Sequence, residues 1–359
     1  MYEYEHGGNA AYEPGSDIRI DLSANINPLG MPDGVKEAIT REISNCTIYP
    51  DSSSGLLREK LSVFEGVAPD QIFCGSGASD IIFRLPKAVQ TELVLVTAPT
   101  FSDYERSAIS YGASLYRYHL REDISFQIDG DIVDRIIEIR PDLVYICNPN
   151  NPTGRLASVE LLKDIIDACR QIKAIAVIDE CFIDFAENAD KLTCKTFIQE
   201  YQNLVVLKAF TKLFAMPGLR LGFAICSNES IINRLYFHGA DWPVSNIAQA
   251  AGIAALENAR PYLQQTLAYV SSERKTIESR LTELGYYVYS SSSNFVFFRN
   301  PYPFDLGSKL DDMNIRIRSC KNYVGLDDRY YRIAVSAKEN NASFLSAMNY
   351  ITNNMRKGV

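Results

Sequence analysis

The chain has no uninterrupted apolar run long enough for a membrane-spanning helix. Its opening residues, Met1-Tyr2-Glu3-Tyr4-Glu5-His6, are acidic and polar, and no secretory signal is expected there. Histidine is scarce, at three residues, and the eight cysteines (Cys46, Cys74, Cys147, Cys169, Cys181, Cys194, Cys226, Cys320) stand singly, without a CxxC pair. With no HxxxH or CxxC spacing, no metal site is expected. Several cysteines lie within apolar runs such as Val144-Tyr145-Ile146-Cys147, so reduced core thiols in a cytoplasmic protein are the simplest reading. Lys and Arg form no block, and the formal charge is −8; nucleic acid and anionic membrane surfaces are therefore not expected partners.

What is present is an ordinary globular composition, 47% hydrophobic and 22% charged over 359 residues, enough for a large core and more than one domain. From about residue 70 to 226, apolar strand candidates alternate with amphipathic helical segments. The strands are expected at Gln71–Cys74, Leu93–Val96, Leu143–Cys147, Ala174–Ile178, Leu204–Leu207 and Gly222–Cys226. That order implies an α/β fold with a large, mostly parallel sheet covered by helices. After residue 245 the texture shifts to a long helix near Pro261–Leu284, ended by Gly285 as a C′ residue. Strand candidates Tyr287–Tyr289, Asn294–Arg299, Arg316–Arg318 and Tyr331–Val335 follow, then a last helix near Ser343–Asn353. Extended Ile18–Leu22 and a helix near Val35–Ile43 have no room for a core of their own. The expected organisation is a large α/β domain over 45–245, with 1–44 and 246–359 together forming a smaller α+β domain.

In open α/β sheets, ligands sit at the carboxyl ends of strands, and the polar signals of this chain cluster there. Cys74-Gly75-Ser76-Gly77-Ala78-Ser79-Asp80 leads from a strand into a helix; small residues admit an anion to the helix amides, although a plain tight turn reads equally well. Asn148-Pro149-Asn150-Asn151-Pro152-Thr153-Gly154 follows another strand and is either a turn or a rigid mount for an amide. Asp179 ends the apolar run Val177-Ile178; it is an N-cap, or a carboxylate waiting for a cation or a donor such as a pyridinium N–H. Lys212 sits in Phe210-Thr211-Lys212-Leu213-Phe214-Ala215-Met216, apolar surroundings that favour a free amine able to form a Schiff base. Arg220, opening the next strand, suits a phosphate.

Taken in order, GSGASD, PTF, NPNNPTG, VIDE and FTKLFAMPGLRLGF resemble the signature series of the class I/II aminotransferase superfamily, over nearly the whole chain. The resemblance implies the fold type I architecture of pyridoxal 5′-phosphate (PLP) enzymes. It implies that Lys212 carries PLP as a Schiff base and moves protons, that Asp179 holds the pyridine N1 proton, and that Asn151 donates to O3′. The amides of Ala78 and Ser79, with Thr211 and Arg220, would hold the phosphate, and Phe101 would stack on the ring, although as a plain core aromatic it reads nearly as well. Tyr49 matches a tyrosine that reaches the partner subunit's phosphate, which implies a homodimer, and Arg332 matches an arginine for substrate carboxylate or phosphate. Two positions depart from the pattern: Ala209 stands where a phosphate-binding Ser is common, and Phe182 where a Tyr donating to O3′ is common.

Within the superfamily, His6-Gly7-Gly8-Asn9, Asp21-Leu22-Ser23-Ala24-Asn25-Ile26-Asn27-Pro28-Leu29-Gly30, Asp179-Glu180-Cys181-Phe182-Ile183-Asp184-Phe185 and Ile317-Arg318-Ser319-Cys320 with Gly325–Arg332 resemble the threonine-phosphate decarboxylase branch of cobalamin biosynthesis. That branch implies decarboxylation of L-threonine O-3-phosphate to (R)-1-amino-2-propanol O-2-phosphate and CO₂, and leaves open whether L-serine O-phosphate also serves. His6, Asn25, Arg318 and Arg332 would surround the two substrate anions, their division between phosphate and carboxylate left open, with Asn151 shared between substrate and cofactor. The sister reading is histidinol-phosphate aminotransferase. A reading of a different class, a non-catalytic PLP-binding sensor or scaffold, is opposed by the joint presence of Lys212, Asp179, Asn151 and Arg220.

Overall fold

The computed structural model describes residues 7–8 and 17–357. Its strands are β1 (Ile20–Asp21), β2 (Ile72–Gly75), β3 (Leu93–Ala98), β4 (Ser114–His119), β5 (Leu143–Cys147), β6 (Ile175–Asp179), β7 (Leu204–Ala209), β8 (Gly222–Ile225), β9 (Tyr287–Tyr289), β10 (Phe295–Arg299), β11 (Ile315–Arg316), β12 (Arg318–Ser319) and β13 (Tyr330–Ala334). Seven of them form one sheet in the order β2-β8-β7-β6-β5-β3-β4. The pairs from β7 through β4 are parallel, whereas β8 runs antiparallel to both neighbours.

Strict alternation explains why the central strands read as continuously apolar. Leu95, Val144, Ile146, Ile178 and Val206 bury into one core, and Val94, Val96, Tyr145, Val177 and Val205 into another on the opposite face. Both faces are covered, so polar residues are held to the last positions of these strands, as Thr97, Asp179 and Lys208 are. The carboxyl ends of β2, β5, β6 and β7 therefore release Ser76, Asn148, Glu180 and Phe210 at one edge. Because β8 is antiparallel, its first residue, Gly222, lies at that same edge, opposite Gly75 and Ala209, which brings Arg220 there too.

A second sheet, β12-β13-β10-β9, is antiparallel, and β1 pairs in parallel with β11. The helix Ala259–Glu283 and the last helix, Lys338–Lys357, bury Val270, Ile277, Leu281, Phe344, Met348 and Ile351 against Leu22, Phe295 and Ile333. Gly285 follows the long helix at φ 91° and donates its amide to the Thr282 carbonyl at 2.9 Å, closing the helix end.

Three elements differ from the sequence reading. β4, Ser-Leu-Tyr-Arg-Tyr-His, is an edge strand with polar residues facing out, so it lacks the apolar run that marks its neighbours. The expected strand Arg316–Arg318 is two short strands, because buried Ile317 marks the crossing from pairing with β1 to pairing with β13. The last helix starts at Lys338 rather than Ser343, its first turn being Lys-Glu-Asn-Asn without an apolar face.

No helix of the described residues is long and apolar enough to cross a membrane. All eight cysteines are free, six of them buried, with Cys181 half-buried and Cys46 exposed.

Candidate active site

The strand ends enclose a cavity of about 390 Å³ lined by Ala78, Ser79, Phe101, Asn151, Asp179, Thr211, Lys212 and Arg220, together with Ala209 and Phe182. These eight expected cofactor residues thus come together from five separate segments. Gly7, Gly8, Ala24 and Ile26 close the cavity from the N-terminal side.

The anion cradle is built by close approach. The helix Ala78–Ala88 begins here, so its first amides are unpaired and face the cavity. A Cβ added to Gly222 would lie 2.4 Å from the Ala78 nitrogen, and one added to Gly77, at φ 81°, 2.6 Å from an Arg220 guanidinium nitrogen. Only glycine lets the arginine and the helix start meet this closely. Arg220 itself adopts φ 53°, a left-handed conformation that costs a side-chain-bearing residue energy.

Lys212 lies in the short helix Phe210–Leu213 that follows β7. Burial pushes its amine down to about 8, and the Arg332 and Arg220 guanidiniums push the same way, against the opposing pull of Cys181 and Asp179. Its ammonium group lies 5.8 Å from the centre of the Phe182 ring. Asn27, which sequence reasoning did not single out, clamps this turn: its amide N–H donates to the Lys212 carbonyl at 3.2 Å and its Nδ2 to the Leu213 carbonyl at 2.8 Å.

Asp179 is buried, and burial raises its carboxyl above the usual range, opposed by donors from Cys181 and Tyr104. The Cys181 amide donates to Oδ1 at 2.9 Å and the Tyr104 hydroxyl to Oδ2 at 2.6 Å. Tyr104 had no signal in the sequence, since a tyrosine inside a helix is indistinguishable from ordinary core. Neighbouring Glu180 points away, accepting from Thr193 Oγ1 at 2.5 Å and the Cys194 amide at 2.6 Å. Buried in this way, its carboxyl is raised to about 7.

The asparagine-rich segment resolves into separate tasks. Asn148 Oδ1 accepts from the Ala157 amide at 2.8 Å, while Asn150 bonds the Pro99 carbonyl at 3.0 Å and both Thr153 and Thr100 hydroxyls. Those two hold the loop. Asn151 Oδ1 accepts from Arg332 Nη1, which leaves Nδ2 as the group free to donate into the cavity.

The expected substrate residues are placed as follows. Arg332 is buried and also donates from Nη2 to the Ser23 carbonyl at 2.8 Å. Arg318 is its direct cross-strand neighbour on β12 and β13, is buried as well, and donates to Asn322 Oδ1 at 2.8 Å. Asn25 is buried between the cavity residues Ala24 and Ile26, its Oδ1 unpaired. His6 lies outside the described residues. Tyr49 is not brought to this cavity: it is 77% exposed and stacks on Trp242, ring centres 4.4 Å apart.

The donor set fits PLP. Helix amides with Thr211 and Arg220 would take its phosphate, Asp179 its pyridine nitrogen, Asn151 its phenolic oxygen and Lys212 its aldehyde. Only an unprotonated amine attacks an aldehyde, so capture of PLP by the apoenzyme should speed up as pH rises and level off above about pH 8. Arg332→Met removes a cation that depresses this amine, so the midpoint should move upward, while Lys212→Ala should abolish capture. Stopped-flow absorbance measures all three, and a rate flat across this range would show that another group takes the cofactor. Ala209→Ser, placed on the cavity wall, should tighten PLP by roughly 1.5–3 kcal/mol, the contribution of a hydrogen bond to a charged group. Equilibrium dialysis reads this, and unchanged affinity would mean that Thr211 already serves the phosphate.

The model of the family described as aminotransferase class I and II matches residues 17–348. Threonine-phosphate decarboxylase of Salmonella typhimurium is 33% identical over 357 residues, covering 97% of this chain and 96% of that protein. Histidinol-phosphate aminotransferase of Ruminiclostridium cellulolyticum is 29% identical, covering 95% and 94%. The crystal structure of histidinol-phosphate aminotransferase from Clostridium acetobutylicum superposes with a TM-score of 0.86 at 32% identity, covering 93% of this chain and 99% of that one. With the match spanning both sheets and every strand end that lines the cavity, the chain belongs to the aminotransferase class I and II family, whose enzymes work with PLP.

Proposed function

We propose that this chain is a PLP-dependent decarboxylase of L-threonine O-3-phosphate, releasing CO₂ and (R)-1-amino-2-propanol O-2-phosphate for cobalamin biosynthesis. The observation that carries the reading is the pair Arg318 and Arg332, directly opposite each other on adjacent strands and both buried. Like charges in that position repel, so the arrangement suits a ligand with two anionic groups, such as a carboxylate and a phosphate. The 33% identity to a threonine-phosphate decarboxylase along 97% of the chain supports the choice of branch.

PLP, when bound, supplies the sink for the electron pair left as CO₂ departs. The residues do the rest. Asp179 would hold the proton at the pyridine nitrogen, and Lys212, whose amine is set free when the substrate's own amine takes its place, would deliver a proton to Cα. Arg318 and Arg332 would grip the two anions and so fix the orientation in which the bond between the carboxylate and Cα breaks. Binding energy from the remote phosphate thereby fixes the reactive conformer. Histidinol phosphate carries no carboxylate, and the second reading, a histidinol-phosphate aminotransferase, rests on the 29% identity to that enzyme.

We also propose a cytoplasmic homodimer, with 45–245 as its large domain and 1–44 plus 246–359 as its small one. Free cysteines suit a reducing compartment. Ile48, Tyr49, Phe237 and Trp242 leave apolar surface exposed near one another in the chain's fold, as a subunit contact would use. β1 pairing with β11 ties the N-terminal segment to the smaller unit.

Pure enzyme with PLP should release CO₂ from L-threonine O-3-phosphate and form little glutamate from histidinol phosphate and 2-oxoglutarate. Unphosphorylated threonine should lose kcat as well as affinity. Rapid glutamate formation without CO₂ would move the protein to the aminotransferase reading. For shared sites, inactive Tyr49→Phe mixed with inactive Lys212→Ala should regain activity, because one site in a mixed dimer carries neither lesion. Full activity of a monomer in analytical ultracentrifugation would refute the sharing.

A further inference from the structure

We propose that Tyr104 is a positioning residue for Asp179, fixing the proton between that carboxylate and the pyridine nitrogen of PLP on the nitrogen side. The proposal rests on the reading of Asp179 as partner of that nitrogen. Tyr104 is wholly buried, and its hydroxyl donates to Asp179 Oδ2 at 2.6 Å. Its ring is held from two sides, stacked on Tyr145 with centres 4.9 Å apart and 13° between planes, and meeting Phe101 edge-on at 5.7 Å. The other carboxylate oxygen takes the Cys181 amide at 2.9 Å. Among the described residues, the other titratable groups around Asp179 include the Cys147 and Cys181 thiols, the Tyr145 phenol and the Lys212 amine. Burial and the nearby carboxylate hold Tyr104 in its phenol form, well above the ordinary tyrosine range, so toward the carboxylate it acts as a donor.

The consequence follows from charge. Burial raises the proton affinity of Asp179, and a donor aimed at the carboxylate stabilises its anion and lowers that affinity. Without the hydroxyl, the proton leaves N1 for Oδ2: one N–H bond breaks, one O–H bond forms, and no proton enters or leaves the site. The ring then loses its positive charge and withdraws electrons less strongly from Cα. Tyr104 is thus placed to set how strong a sink the cofactor is, without having to touch the substrate.

The test uses full-length enzyme reconstituted with PLP labelled with ¹⁵N in the ring. Tyr104→Phe keeps the ring and its packing and removes only the hydroxyl. Tyr145→Phe makes the same change on the stacked neighbour, whose hydroxyl instead donates to the Ile82 carbonyl at 3.1 Å. Tyr104→Phe should shift the ¹⁵N resonance toward neutral pyridine and lower kcat by about tenfold or more, as expected for losing a hydrogen bond to a charged group, with KM nearly unchanged. Tyr145→Phe should leave the resonance in place. An unshifted resonance in Tyr104→Phe, or an equal shift in both variants, would overturn the proposal. A Tyr104→Phe protein that fails to fold, or folds without holding PLP, would assign the residue to packing or binding and overturn it equally. Wild-type enzyme that shows neutral pyridine or binds no PLP would instead remove the reading of Asp179 itself.

Discussion

The rest of the site depends on one constraint: an amine must be buried and still be free of its proton. Lys212 moves toward it through burial and through two guanidiniums, Arg332 and Arg220, both of which disfavour the ammonium form, so that its proton leaves near pH 8. Neither arginine is there for that purpose alone. Arg220 stands beside the helix start at Gly77 and Ala78, and Arg332 is tied to Asn151 and Ser23. The cations that would anchor anionic ligands thus also tune the nucleophile. Binding an anion at either arginine would offset its field and raise the proton affinity of the lysine at the moment a bound substrate needs a proton donor.

The fold makes this convergence cheap. Five parallel strands, with antiparallel β8 returning the last loop, deliver five loops to a single edge, and two-sided burial holds polar residues to the last positions before that edge. The same fact governs what was legible in the sequence. A strand buried on both faces announces its end by its first polar residues, so the segments carrying Asp179, Asn151, Lys212 and Arg220 could be located from position, while their roles came from the resemblance. Edge strand β4 could not, because one-sided burial leaves no continuous apolar run, and β11 and β12 were read as a single strand, Arg316–Arg318. Residues acting through another residue were equally silent. Asn27 clamps the Lys212 turn across the chain, and Tyr104 reaches Asp179 from a helix 75 positions earlier. Asn148, Asn150 and Asn151 were indistinguishable as letters; their hydrogen bonds assign two to the loop and one to the cavity.

Electrostatics also separates this site from a generic anion pocket. Arg318 and Arg332 oppose each other with little water around either, and each has a neutral partner, Asn322 and Asn151 respectively. A neutral partner such as Asn151 orients the Arg332 guanidinium without cancelling its charge, and Asn25 keeps an unpaired Oδ1 as a site for a donor. An amino acid phosphate brings two anions and an amine, which answers both requirements.

Phe182 and Ala209 show where the hydrogen bonding has gone. Neither can donate to a cofactor oxygen, and Phe182 instead packs edge-on against Phe295 at 5.3 Å and faces the Lys212 amine. The phenol that the cavity does provide, Tyr104, lies on the opposite side, at the carboxylate. A donor at the phenolic oxygen of PLP favours negative charge there, whereas a donor at Asp179 favours positive charge on the ring nitrogen. Moving the donor from one end to the other therefore strengthens the ring as an electron acceptor and leaves Asn151 as the one side chain assigned to donate to the phenolic oxygen. For the proposed loss of CO₂ from Cα, as for any reaction that leaves an electron pair there, that is the useful direction.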